Sequence, residues 1–260
     1  MTMLPDASFL FRLADAAAKE TLPRFRTALS VDSKPKEGFT FDPVTEADRE
    51  AEKAIRAIIE AEYPAHAILG EEFGLSGSGD HLWVIDPVDG TRPFICGVPV
   101  WGTLIGLQVR ERAEIGIMSQ PYTRERFWAT PDGAFGDGPQ GEKRLHVRDV
   151  GGLSGATLFS SAPELFRGGL KDRFQSLVDQ VRLTRFGADC YAFAMLAAGH
   201  VDICVEPGLQ PYDIVALTPI VEQAGGVITT FSGDRPENGG DVVAAATPAL
   251  HEAALRILNG

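Results

Sequence analysis

The chain has 260 residues, 44% hydrophobic and 23% charged, long enough for one large core or two smaller subdomains. Lys and Arg number 24 against 36 Asp and Glu; the formal charge of −12 argues against nucleic acid as a partner, because polyanions are met with a surplus of basic side chains. There is no apolar run of membrane length and no secretion signal, and Cys96, Cys190 and Cys204 share no metal-binding spacing, so no membrane association and a reduced, cytoplasmic setting are expected.

Leu10, Leu13, Ala14 and Ala17 share one face of an opening helix that Asp6 caps. Residues 31 to 43, polar and carrying Pro35, Gly38 and Pro43, read as a loop or hairpin. Thr45 and Asp48 form a capping box ahead of Ala51, Ile55, Ile58 and Ile59, a second amphipathic helix. Ile68-Leu69-Gly70 is a short apolar run that ends on Glu71 and Glu72, which taken alone read as exposed loop glutamates, the commoner case. Leu82 to Ile85 is a second such run and reads as a buried strand ending at Asp86, where Pro87 stops it. Asp86 and Asp89 would fall on opposite faces of a strand, but a sharp turn at Pro87 brings both carboxylates to one point. Gly90 and Thr91 follow, offering backbone N–H groups and a hydroxyl. Such a set suits an anion held beside a hard cation, although Asp, Pro and Gly are also ordinary turn residues.

Gly97 to Gly116 reads as strands, Tyr122 to Ala134 as strand and turn, and Gly133 to Gly152 as an aperiodic stretch holding a subdomain boundary. Beyond it, helix and strand signals alternate. Leu158 to Ser161 is a strand, Phe174, Leu177, Val178 and Val181 mark a helix, and Tyr191 to Gly199 another. Val201 to Glu206 alternates, with Asp202, Cys204 and Glu206 on one side. Asp213 opens a helix through Ala224, Val227 to Thr230 and Val242 to Ala246 are strands, and Pro248 to Leu258 closes the chain as a helix. Asp213 also fits a helix N-cap, Asp48 fits its capping box as well as a catalytic role, and Glu206 fits a solvated strand end. Together these are acids at several element ends, the way loop-borne sites are built on a rigid scaffold.

Gly70-Glu71-Glu72, Asp86-Pro87-Val88-Asp89-Gly90-Thr91, and Tyr212-Asp213 followed by Gly225-Gly226 resemble the signature of the inositol monophosphatase superfamily, in order from Thr45 to Gly226. The resemblance implies a Mg²⁺-dependent, lithium-sensitive phosphomonoesterase that forms a homodimer. It implies an α/β fold, a layered αβαβα sandwich with an α+β part over residues 1–145 and an α/β part over 146–260. By position it assigns Glu71, Asp86 and the carbonyl of Val88 to a first Mg²⁺, and Asp86, Asp89 and Asp213 to a second. A weaker third ion would involve Glu71, with Asp48 behind it, and Mn²⁺ would substitute. Glu71, Thr91 and Asp48 would position and activate water, and Gly90 and Thr91 would bind phosphate. The chemistry agrees: two ions roughly 3.5–4 Å apart neutralise phosphoryl oxygens, supply hydroxide at neutral pH and stabilise a leaving alkoxide.

Arg92-Pro93-Phe94, Gly97 to Leu107, Gly187 to Tyr191 and Glu206 to Asp213 resemble the histidinol-phosphatase branch, from which Pro93 is a departure. The implied substrate, L-histidinol phosphate of histidine biosynthesis, carries an ammonium and an imidazole, so its pocket needs carboxylates away from the metals. Asp189 and Glu206 are the candidates, Asp189 fitting a helix N-cap equally well. Arg185 is structural or a phosphate-side contact, and Lys34 or Lys36 would lie near the phosphate. Inositol phosphates, sugar phosphates and phosphoadenosine nucleotides remain open as substrates of the same fold, as does a catalytically idle metal-binding protein.

Overall fold

A computed structural model describes residues 4–28, 31–33 and 43–260. Lys34 and Lys36 lie outside the described residues. Helix α1 (Ala7–Thr21) starts where Asp6 Oδ1 accepts the Phe9 N–H at 3.1 Å. Strands β1 (Val31–Ser33) and β2 (Pro43–Thr45) pair antiparallel and lead into α2 (Glu46–Glu62). Then follow β3 (Ala67–Gly70), β4 (Gly74–Ser76), β5 (His81–Asp89), the short α3 (Thr91–Ile95), β6 (Gly102–Val109), β7 (Arg112–Gln120), β8 (Glu125–Thr130), β9 (Gly133–Asp137) and β10 (Lys143–Arg144). The remainder contains β11 (Thr157–Ser160), α4 (Gly169–Val178), β12 (Leu183–Phe186), α5 (Asp189–Ala197), β13 (Ile203–Leu209), α6 (Pro211–Ile214), α7 (Leu217–Gln223), β14 (Val227–Thr230), β15 (Gly240–Ala245) and α8 (Pro248–Asn259).

Two sheets result. The first runs β10-β9-β8-β7-β6-β5-β3-β4 and is antiparallel except where β3 lies parallel to β5. The second runs β12-β11-β13-β15-β14, parallel at β12-β11-β13 and antiparallel beyond. Because strand side chains alternate faces, each strand feeds two packing layers. Ile105, Leu107, Ile115 and Ile117 face α1 and α2, meeting Leu10, Leu13, Ile55 and Ile59. Leu104 and Met118 face the other way, onto Phe193 and Leu196 of α5 and Leu217 and Ile220 of α7. Cys204, Val242 and Ala244 close that middle layer from the second sheet. On its outer face Ile203, Val205, Val243 and Ala245 meet Phe174 and Leu177 of α4 and Leu250 and Leu258 of α8. The layers are therefore αβαβα. No helix among the described residues is long and apolar enough to cross a membrane.

Several boundaries differ from the sequence reading. Residues 97–101 precede β6 rather than join it. The helix expected from Asp213 is two pieces, α6 and α7. The strand expected at Val201 starts at Ile203, and its polar side is covered as fully as its apolar one. Covering both faces of a sheet removes the solvent side that alternation predicts.

Candidate active site

β5 does not stop at Pro87; it continues to Asp89 through a β-bulge. Asp86 pairs with Leu104 and Asp89 with Gly102, so three steps on one strand oppose two on the other. The extra residue shifts the parity of the strand, and two acids that regular pleating would separate come to one side. Proline is tolerated at such a bulge because a ladder hydrogen bond is missing there already. Its carbonyl is used: Thr103 Oγ1 donates to it at 2.8 Å, and the Val88 N–H turns to Asp86 Oδ1 at 3.0 Å.

The third acid comes from α6, the short helix that follows β13 of the second sheet. Asp213 is the third residue of α6, not its N-cap; that place belongs to Gln210, whose N–H donates to Asp213 Oδ2 at 2.7 Å in a capping box. One carboxylate oxygen from each of Asp86, Asp89 and Asp213 lies within 4.8 Å of the others. Three hard oxygen donors converging like this form a donor set for a small divalent cation. The electrostatics agree. Burial and the facing carboxylates of Glu71, Asp89, Asp213 and Asp48 push the Asp86 carboxyl well above its ordinary range. Asp89 is raised likewise, first by burial and then by Asp189 and Asp213, although the Cys190 N–H donates to its Oδ2 at 2.7 Å. A cation at this point would relieve both costs at once.

Around this cluster an open cavity of about 160 Å³ is lined by Glu71, Val88, Gly90, Thr91 and Arg92 on one side and Ser161, Asp189 and Glu206 on the other. Glu71 follows β3 directly and is partly buried rather than a solvated loop residue. Gly90 caps α3 with φ +81°, a left-handed conformation that glycine adopts at no steric cost, and thereby turns the chain after Asp89. Thr91 Oγ1 lies 3.1 Å from the Val88 carbonyl and 3.4 Å from Asp48 Oδ1. Asp48 forms the expected capping box, its Oδ2 accepting the Thr45 N–H at 2.9 Å and the Thr45 hydroxyl at 2.6 Å. Its carboxyl is pushed up to about 6, by burial first and by Glu71, against the Thr45 hydrogen bonds.

Glu206 is not a solvated strand end. It is 3% exposed within β13, with Oε1 accepting the Ser161 N–H at 2.6 Å and its hydroxyl at 3.0 Å. Burial, then Asp189, raises its carboxyl well above the usual range despite those bonds. Asp189 is no N-cap either: it is the first residue of α5, holds φ +43° and makes no capping bond. Non-glycine residues rarely adopt that conformation, and here it is bracketed by the Cys190–Asp89 bond and the cavity wall. Burial raises Asp189, while Ser161 and Arg92 oppose the rise. Arg185 is not brought to the cavity. It is exposed on β12, the edge strand, in register with Phe159 of β11. Arg92 is the arginine that lines the cavity, which its place one residue beyond Thr91 would have signalled.

The sequence pattern of the Inositol monophosphatase family matches residues 3–260. The chain belongs to the inositol monophosphatase family. It is similar to the histidinol-phosphatase of Streptomyces coelicolor, 39% identical over 98% of this chain and 97% of that one. It is also similar to the Nus factor SuhB of Pseudomonas aeruginosa, 40% identical over 74% of this chain and 73% of that one. Among solved structures it superposes on an inositol monophosphatase from Zymomonas mobilis with TM-score 0.86 and 39% identity, covering 97% of each chain. Family and relatives make the protein a phosphoric monoester hydrolase, and the αβαβα sandwich is the inositol monophosphatase fold.

Proposed function

We propose that this chain hydrolyses L-histidinol phosphate to L-histidinol and phosphate with Mg²⁺ in the acidic cluster. One observation carries the substrate choice: two carboxylates, Glu206 and Asp189, line the cavity outside the Asp86, Asp89 and Asp213 cluster. Acids in that place suit a substrate whose organic part is cationic, and the similarity to histidinol-phosphatases supports the same reading. Glu71, Asp86 and the Val88 carbonyl would hold one ion, and Asp86, Asp89 and Asp213 a second, with Asp86 shared. The ions, when bound, neutralise phosphoryl charge and lower the pKa of water.

The chain's own groups do the rest. Gly90 and Thr91 turn backbone N–H groups to the phosphoryl oxygens. Thr91 Oγ1 and the Glu71 carboxylate orient a water for in-line attack on phosphorus. Asp48, raised to about 6, is poised to accept a proton relayed from that water through Thr91 Oγ1, since a base near the working pH serves best. As the new P–O bond forms, the ester P–O bond breaks and the leaving alkoxide takes a proton from solvent. Glu206, fixed by Ser161, and Asp189 hold the ammonium and imidazole end.

A substrate panel with Mg²⁺ tests this. Histidinol phosphate should show the highest kcat/KM against inositol 1-phosphate, glycerol phosphate and a phosphoadenosine nucleotide. Preference for inositol 1-phosphate would move the chain to the second reading, which the 39% identity with the Zymomonas enzyme favours.

A further inference from the structure

Glu52 is fully buried on α2 and is absent from the cavity wall, yet every polar atom of its side chain is turned to the segment that carries Glu71. Its Oε2 accepts the Glu72 N–H at 2.7 Å and its Oε1 accepts the Phe73 N–H at 3.3 Å. Arg56, one helical turn on, donates Nε to the same Oε1 at 2.7 Å. The rest of its guanidinium reaches the Gly74 carbonyl and, at 2.8 Å, Ser76 Oγ. Just upstream, the Glu71 N–H donates to the Ile85 carbonyl of β5 at 3.1 Å. Three successive amides and the next carbonyl are therefore fixed from outside the turn.

The turn is also shaped to admit this carboxylate. A Cβ at Gly70 would lie 1.8 Å from Glu52 Oε1, so glycine there keeps the path from α2 open. A fully buried ion pair is seldom the cheapest way to stabilise a core, since apolar residues of similar volume do as well. What the pair adds is direction: charge-assisted hydrogen bonds to backbone N–H groups that fix one short segment. α2 also carries Asp48, four residues before Glu52, so one helix stripe touches both Thr91 and the Glu71 turn.

We propose that Glu52 is a positioning residue: through the amides of Glu72 and Phe73 it fixes where the Glu71 carboxylate stands, and so sets the affinity of the site for its divalent cation. The proposal rests on Glu71 being a metal ligand, as read above. Groups that orient ligands without touching the metal are typically worth about 10- to 100-fold in metal affinity.

Titration calorimetry of Mg²⁺ into the metal-free full chain tests it, comparing wild type, Glu71→Gln, Glu52→Gln and Glu52→Asp. Arg148→Ala, which opens a buried ion pair elsewhere, serves as the stability control. The Glu52 variants should raise the Mg²⁺ Kd about 10-fold or more, with kcat recovered at high Mg²⁺ and KM for the phosphomonoester unchanged. Glu52→Asp keeps the charge opposite Arg56 and so keeps the fold, but is one methylene too short for both amides. Glu52 variants that melt earlier, as Arg148→Ala does, yet bind Mg²⁺ with wild-type Kd would overturn the proposal and leave Glu52 a packing residue. Wild type that binds no Mg²⁺, or Glu71→Gln that binds it normally, would overturn the proposal together with the reading of the site beneath it.

Discussion

Asp202 and Asp86 are both buried acids, one just before β13 and the other inside β5, and the chain treats them in opposite ways. Asp202 meets the Arg148 guanidinium, with Nε to Oδ1 at 2.6 Å, and accepts the Thr157 N–H at 2.6 Å. Glu52 with Arg56 and Glu237 with Arg235 follow the same plan. Asp86 instead accepts one backbone N–H and faces four other acids. A buried charge needs compensation, and in the first group the chain brings its own cation. In the second the compensation has to come from outside. The difference separates acids that hold backbone in place, Glu52 at the Glu71 turn among them, from acids that face one another across the cavity, although both are buried.

Removing charge from the two kinds should have opposite consequences. Asp86→Asn takes a ligand from both proposed ions, and kcat/KM should fall by roughly 10²-fold or more. In EDTA the same variant should melt higher than wild type, because a repelled buried charge is gone. Calorimetry in EDTA beside an activity assay decides this, and an Asp86→Asn protein that melts lower would erase the contrast.

Arg148→Ala should do the reverse. It leaves Asp202 buried without its cation, at a cost of about 3 kcal/mol, the low end for such pairs because the arginine side chain is 35% exposed. For a chain of this size that lowers Tm by roughly 6–12 °C. Activity at 25 °C should be retained, and a loss of kcat/KM with unchanged Tm would place Arg148 in the site instead.

The capping box at Thr45 and the acids themselves were legible in the sequence, because each is written in local spacing; the layers came only with the resemblance to a family, since periodicity marks elements and not how they stack. The geometry between them was not. Pro87 reads as a stop because it lacks an N–H, and nothing nearby reveals that a bulge makes that N–H unnecessary. Glu206 reads as solvated because its strand alternates, and only the packing of α5 and the first sheet shows its polar face covered. Asp189 reads as a cap as readily as a binding residue, since nothing in the local sequence reveals the positive φ that it holds as the first residue of α5. Glu52 was missed, although a signal existed: Asp48, Glu52 and Arg56, spaced four apart, form a polar stripe beside the apolar Ala51, Ile55 and Ile59.

Glu206 tests whether a site acid needs the ions or the substrate as its cation. Glu206→Gln keeps the shape and one acceptor for Ser161 but loses the charge. A charge-assisted contact of about 1.5 kcal/mol corresponds to roughly 10-fold, the lower bound suiting an open cavity. The loss should appear in kcat/KM for histidinol phosphate and be small for glycerol phosphate. Equal loss on both esters would assign Glu206 to folding or catalysis.

The smallest effect is a pH dependence of the gain in Tm on adding Mg²⁺, which the site acids should set. Asp48 rises from 3.8 unfolded to about 6 folded, and Asp86, Asp89 and Glu206 are also raised. A raised carboxyl means that the folded state keeps a proton the unfolded state has released. In metal-free protein the stability these groups contribute is full below pH 3.8 and falls as pH rises through 6. His66 and His251 are lowered by burial, so their contribution runs the other way, falling as pH drops below 6.5. Both histidines are present with or without metal, so the difference in Tm between Mg²⁺ and EDTA cancels them. Protons compete with the cation for the same oxygens, and that difference should therefore widen by a few degrees between pH 5 and 7. Scanning fluorimetry in paired buffers measures it. A difference that stays flat with pH would mean that the acids facing one another in β5 are already compensated by the fold, as Asp202 is.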